Sequence, residues 1–83
     1  MSKAKAISAN NAEKYVQLGL NIAYFRKLRG YTQEELAEMV DISRSHLSAI
    51  EAPNIIKAFS IELLFNIADA LQIDSYKLLV FKE

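Results

Sequence analysis

Apolar residues return at intervals of three and four along most of this chain, the spacing that puts side chains on one face of an α-helix. Tyr15, Leu18, Ile22, Phe25 and Leu28 form the first such stripe, and Gly30 marks its end, because glycine just past a helix accepts the left-handed turn found there. Thr32 with Glu35 three residues on is a capping-box pattern directly ahead of Leu36, Ala37 and Val40. It predicts a second helix starting at about Gln33 and stopping near Asp41. Ser43 offers the next N-cap, for a third helix with Leu47 and Ile50 inward, and Pro53 with Asn54 closes it, since proline cannot donate to the helical ladder. Ser60 caps a fourth helix with Leu64, Ile67, Ala68 and Leu71 on one side, and Asp74 or Ser75 opens a short fifth segment with Leu78 and Leu79. The final Leu-Leu-Val-Phe-Lys-Glu fits a helix, an extended tail or a docking strand equally well.

The fold class expected is therefore all-α, a compact bundle of about five short helices. Residues 1–12 read as a polar N-terminal arm and 13–83 as the domain. Composition agrees: 83 residues suit one core, and 52% hydrophobic residues with two Gly and one Pro disfavour a turn-rich β architecture. No cysteine is present, which excludes disulfides and thiolate metal sites. No apolar run is long enough for a signal peptide or membrane span, so a cytoplasmic location is expected. The chain has zero net charge but is divided: residues 1–31 hold six basic groups against one acidic, residues 32–83 four basic against nine acidic. One face can therefore meet an anion while another does not.

Between Gln33 and Glu51 the pattern becomes specific. Two short helices separated by the three-residue turn Asp41-Ile42-Ser43 must cross steeply, with Ala37 small enough for close approach, Ile42 plugging the corner, and Leu47 and Ile50 seating the second helix. At 100° per residue Arg44, Ser45, Ser48 and Ala49 fall opposite Leu47 and Ile50, with His46 and Glu51 flanking. That outward face is short, polar and slim, and carries one long basic side chain near its N-terminal end. A helix of this kind fits a B-DNA major groove about 12 Å wide.

The run from Arg26 to Glu51 resembles the Cro/C1-type (XRE-like) helix-turn-helix family of bacterial and phage regulators, and Ile61 to Leu79 resembles that family's fourth and fifth helices. The resemblance implies a lambda-repressor-like domain with the helix-turn-helix at about 33–51 and the recognition helix at about 43–52. It implies a sequence-specific DNA-binding transcriptional regulator, a repressor in the leading reading, with double-stranded DNA as partner. Carried over by position, Gln33 would contact a phosphate and brace a recognition-helix side chain, and Ser43 would cap the third helix and bond a phosphate. Arg44, Ser45, Ser48 and Ala49 would occupy base-reading positions, and His46 would meet the backbone at the groove wall. Arg26 and Glu51 would form an internal ion pair of structural purpose.

The chain departs from the family where glycine is usual: Asp41 stands in the turn, Ala52-Pro53-Asn54 after the third helix and Gln72 after the fourth. Asp and Asn tolerate left-handed geometry, so Asp41 and Asn54 are mild departures and Gln72 a sharper one. The loop 53–59 is unusually apolar, with Ile55, Ile56 and Phe59, and is a candidate contact for a partner subunit or another protein. A homodimer is expected because one recognition helix reads only a few base pairs. The competing reading is a protein-interaction module, antitoxin-like or accessory, built on the same helix-turn-helix core. Enzyme chemistry is not expected: the sequence offers one histidine, no cysteine, no glycine-rich phosphate loop, no catalytic or metal constellation, and no sign of a cofactor.

Overall fold

The computed structural model describes residues 7–81, in which four α-helices are followed by one 3₁₀ turn. They are α1 (Ala9–Leu28), α2 (Gln33–Met39), α3 (Arg44–Glu51) and α4 (Ile61–Leu71), with the 3₁₀ turn at Ser75–Leu79. The described residues contain no strand, and the all-α bundle expected from periodicity is the observed architecture. Of the polar arm expected at 1–12, residues 1–6 lie outside the described residues. Residues 9–12 are helical: Ser8 is the N-cap of α1, its side chain accepting from the Asn11 amide at 3.1 Å.

Each remaining α-helix begins on a hydroxyl cap. Thr32 completes the capping box with Glu35, at 3.0 and 2.8 Å, and Ser43 and Ser60 accept from the His46 and Leu63 amides. The core these helices enclose is Leu18, Ile22, Leu36, Ala37, Val40, Leu47, Ile50, Leu63, Leu64, Ile67, Ala68, Leu71 and Leu78. Tyr15 and Phe25 lean against it, but Leu28, expected on the same stripe, is 62% exposed. The run 15, 18, 22, 25 alternates steps of three and four and would continue at 29; Leu28 comes one position early, rotated off the core face.

Three helices end alike. At α1 the amide of Gly30 donates to Lys27 and that of Tyr31 to Arg26; at α2 Asp41 donates to Glu38 and Ile42 to Ala37; at α4 Gln72 donates to Asp69 and Ile73 to Ala68. Each is a Schellman motif, in which the left-handed residue is followed by an apolar one that folds back on the core. Gly30, Asp41 and Gln72 have φ of 80°, 62° and 59°, and Tyr31, Ile42 and Ile73 are the apolar residues packed on the core. Asn54 does not need left-handed tolerance: α3 ends on Ala52 with φ −73° and ψ 126°, and extended backbone leads into Pro53.

Gln72 is the costly member of this set, because a side chain in left-handed geometry is disfavoured by roughly 1–2 kcal/mol. Arg29 compensates from α1. Its Nε donates to the Leu71 carbonyl at 2.6 Å and its Nη2 to the Gln72 carbonyl at 3.1 Å, so a cation of α1 closes the C-terminus of α4. Gln72→Gly keeps those carbonyls and removes the strain. It should raise stability by about 1 kcal/mol in urea unfolding, and a neutral or destabilising result would contradict this account.

After the 3₁₀ turn the chain stays extended through Val80, with Phe81 against the core. Asn21 holds it there, its Nδ2 donating to the Leu78 and Val80 carbonyls, both at 2.9 Å.

Candidate nucleic-acid interface

The third helix is fixed to the scaffold at a single charged knot. Glu51, at the last turn of α3, accepts from Arg26 Nε at 2.8 Å and Nη2 at 2.9 Å, and from Gln33 Nε2 at 2.9 Å. Arg26 Nη1 donates to the Tyr31 carbonyl at 2.7 Å. A paired guanidinium–carboxylate contact is directional as well as strong, so α1, the start of α2 and the end of α3 are locked in one orientation. No buried polar side-chain atom of the described residues lacks a partner.

Above this knot, Leu47 and Ile50 turn inward and leave the opposite side of α3 facing out. Ser43, Arg44 and Ser45 are exposed at the N-terminal end, while His46, Ser48 and Ala49 are half-buried beside them. Ser43 Oγ lies 3.3 Å from Ser45 Oγ while capping the helix at the His46 amide. The N-terminal end of a helix carries partial positive charge, which here coincides with the Arg44 guanidinium. The surroundings are otherwise acidic: Glu34, Glu35, Glu38 and Asp41 are exposed on α2 and the turn, and Lys57 is the other cation between residues 32 and 60.

Gln33 therefore sits at the start of α2 with one amide hydrogen spent on Glu51, and Ser43, Arg44, Ser45, His46, Ser48 and Ala49 form one contiguous strip. Arg26 and Glu51 lie beneath it, 8% and 7% exposed, as scaffold. The loop after α3 exposes Ile55 and Ile56, at 45% and 50%, and turns Phe59 against the core. Sequence reasoning overlooked Gly19. On α1 it faces α3 so closely that a Cβ there would overlap the Ile50 carbonyl oxygen and stand 3.0 Å from its carbon. A lone glycine within a helical pattern was the available signal, since it costs about 1 kcal/mol relative to alanine unless packing requires it.

Two helices joined by a tight turn, the second presenting a narrow polar face from a rigid support, define a helix-turn-helix unit. A model of the helix-turn-helix family matches residues 22–78, and the chain belongs to that family, in its Cro/C1-type branch of DNA-binding transcriptional regulators. No match was found among curated protein sequences. Among solved structures, the chain is similar to a hypothetical transcription factor, NHTF, from Neisseria, with 25% identity, 96% of this chain and 88% of the other covered, and a TM-score of 0.76. It is similar to the restriction-modification controller protein C.AhdI from Aeromonas hydrophila, with 26% identity over 77% of this chain and 94% of that one, at a TM-score of 0.71. It is also similar to SinR of Bacillus subtilis, a master regulator for biofilm formation, in complex with DNA: 35% identity, 76% and 98% coverage, TM-score 0.69. No helix among the described residues is long and apolar enough to cross a membrane.

Proposed function

We propose that the protein is a cytoplasmic, sequence-specific repressor that inserts α3 into the major groove of double-stranded DNA as a homodimer. The observation that carries this reading is the exposed strip of Ser43, Arg44 and Ser45, with Ser48 and Ala49 behind it, held by the Arg26–Glu51–Gln33 knot. Arg44 reads a guanine through O6 and N7, Ser45, Ser48 and Ala49 contact base edges, and Ser43 and His46 meet the phosphate backbone. Gln33 meets a phosphate while bracing Glu51. Two copies place their α3 helices about 34 Å apart, one turn of the duplex.

Arg44→Ala should then cost about 1–3 kcal/mol of discrimination, about five- to more than a hundred-fold, at one base position when bound sites are selected from random DNA. Wild-type affinity should also fall steeply with salt as phosphate counterions are released. Selection that yields no shared motif, or the same motif for both proteins, overturns the assignment.

The exposed Ile55-Ile56 pair and the carboxylates around α3 favour a second reading, a protein-interaction or antitoxin-like module on the same core. A SinR protein has been solved as a complex with the protein SinI, at 35% identity to this chain. Salt-insensitive DNA affinity, or none, would select that reading.

A further inference from the structure

Helix α1 is apolar on two faces, yet its own fold covers one. Leu18, Gly19, Ile22 and Arg26 are buried toward the core and α3. Leu20, Tyr24 and Leu28, at steps of four, project from the other side at 40%, 61% and 62% exposure. Helices apolar all round are ordinarily buried all round. Leu20, Tyr24 and Phe25 line, with Gln17, Asn21, Lys77 and Val80, a groove of about 540 Å³ between α1 and the C-terminal segment, wide enough for several side chains.

This groove has a basic border. Lys77 lines it, and at 100° per residue the exposed Lys27 shares the face of Leu20 two turns further on, while the exposed Lys14 shares that of Asn21 two turns earlier, so the two lysines flank its ends. An occupant complementary to it presents an apolar ridge bordered by carboxylates. The outer face of α4 has that form. Ile61 and Phe65, one turn apart, are 61% and 47% exposed, and the exposed Glu62 and Asp69, two turns apart, make the adjacent row. A second concavity extends the acidic surface, bringing Asp69 and Asn66 of α4 together with Asp41 and the half-exposed Met39.

We infer that the α1 groove receives the α4 ridge of a second copy of this chain, Leu20, Tyr24 and Val80 against Ile61 and Phe65, with Lys14, Lys27 and Lys77 facing Glu62 and Asp69. The surfaces differ, so the contact is head-to-tail and can be repeated from copy to copy. It uses the division of the sequence into a basic first part and an acidic remainder. The apolar face of α1 points away from α3, so an occupied groove leaves the reading strip open. With few apolar anchors on each side, it belongs to the weak, transient class of interfaces, below about 1,200 Å² in total. It strengthens when neighbouring copies are held on one ligand at high effective concentration.

The test needs no DNA, so its failure leaves the DNA reading untouched. Leu20→Asp destroys the groove and keeps the ridge; Phe65→Asp destroys the ridge and keeps the groove. Both positions are exposed, and unchanged thermal unfolding verifies each fold. Isotope-labelled Phe65→Asp protein is titrated with unlabelled Leu20→Asp protein and followed by amide chemical shifts. Saturable shifts at residues 17–25 and 77–80 are expected, weakened several-fold when NaCl rises from about 50 to about 500 mM, with neither variant alone showing concentration-dependent shifts at its own groove or ridge residues. No shift up to millimolar concentration overturns the inference. Concentration-dependent shifts at residues 17–25 and 77–80 of Phe65→Asp alone, a groove-to-groove contact, or at residues 61–69 of Leu20→Asp alone, a ridge-to-ridge contact, overturn it as well.

Discussion

Glu51→Ala is expected to lower the unfolding free energy by about 3–5 kcal/mol, the loss found when one member of a buried ion pair is removed. Domains hold roughly 0.05–0.15 kcal/mol of stability per residue, so for 83 residues this is a large share of the total. The cause is what remains. Arg26 is 8% exposed and keeps the Tyr31 carbonyl as its partner while losing both contacts to Glu51. Gln33 loses its acceptor too. Glu51→Gln preserves shape and one acceptor and should cost less. Arg26→Met combined with Glu51→Leu should cost less than the sum of its parts, because no uncompensated charge is left. Urea unfolding of the wild type, Glu51→Ala, Glu51→Gln, the double variant and its two single substitutions decides the matter: a loss below about 1 kcal/mol for Glu51→Ala would mean that the pair does not hold α3.

Local chemistry made most of the fold legible. Thr32, Ser43 and Ser60 are short-range signals whose partners lie three residues away, so the starts of α2, α3 and α4 could be read directly. Ser8 was missed because Asn11 replaces the acidic residue of a capping box and no apolar stripe begins before Tyr15. Glycine proved an incomplete guide to helix ends. The left-handed position is filled by Gly30, Asp41 and Gln72, and the feature common to all three is the apolar residue that follows, Tyr31, Ile42 or Ile73. Asn54, singled out as a tolerant substitute for glycine, has no such conformation to tolerate.

Contacts that span the molecule were harder to read. The outward strip of α3 follows from periodicity within eight residues. The bond from Gln33 to Glu51 and the capping of α4 by Arg29 join positions 18 and 42 or more residues apart. Nothing local distinguishes Arg29, which closes α4, from Lys27, which is exposed two positions earlier on the same helix. The sequence shows their charge, while only the packing of α1 against the end of α4 gives one of them a structural partner.

Gly19→Ala should behave opposite to what helix propensity alone predicts. In an exposed helix interior this change stabilises by about 1 kcal/mol. Here the added methyl would overlap the Ile50 carbonyl oxygen and come within 3.3 Å of the Glu51 Cα, both backbone atoms of α3. A side-chain tip could swing aside, but the backbone of the last turn of α3, pinned by the Arg26–Glu51 pair, cannot do so freely, so α1 and α3 must separate. Overpacking of a core costs typically 1–3 kcal/mol and occasionally more, and this contact belongs at the upper end; a net loss of about 3 kcal/mol is expected. Gly30→Ala is the control. Nothing lies within 4 Å of its added Cβ, but φ is 80°, so the loss should be about 1 kcal/mol and come from backbone strain. The two variants differ in consequence as well as size. Separating α1 from α3 moves the Arg26–Glu51 knot and the strip above it, so Gly19→Ala should weaken DNA binding even in the fraction that remains folded, while Gly30→Ala should leave binding intact. A Gly19→Ala protein as stable as wild type would show that the α1–α3 approach is looser than the geometry requires.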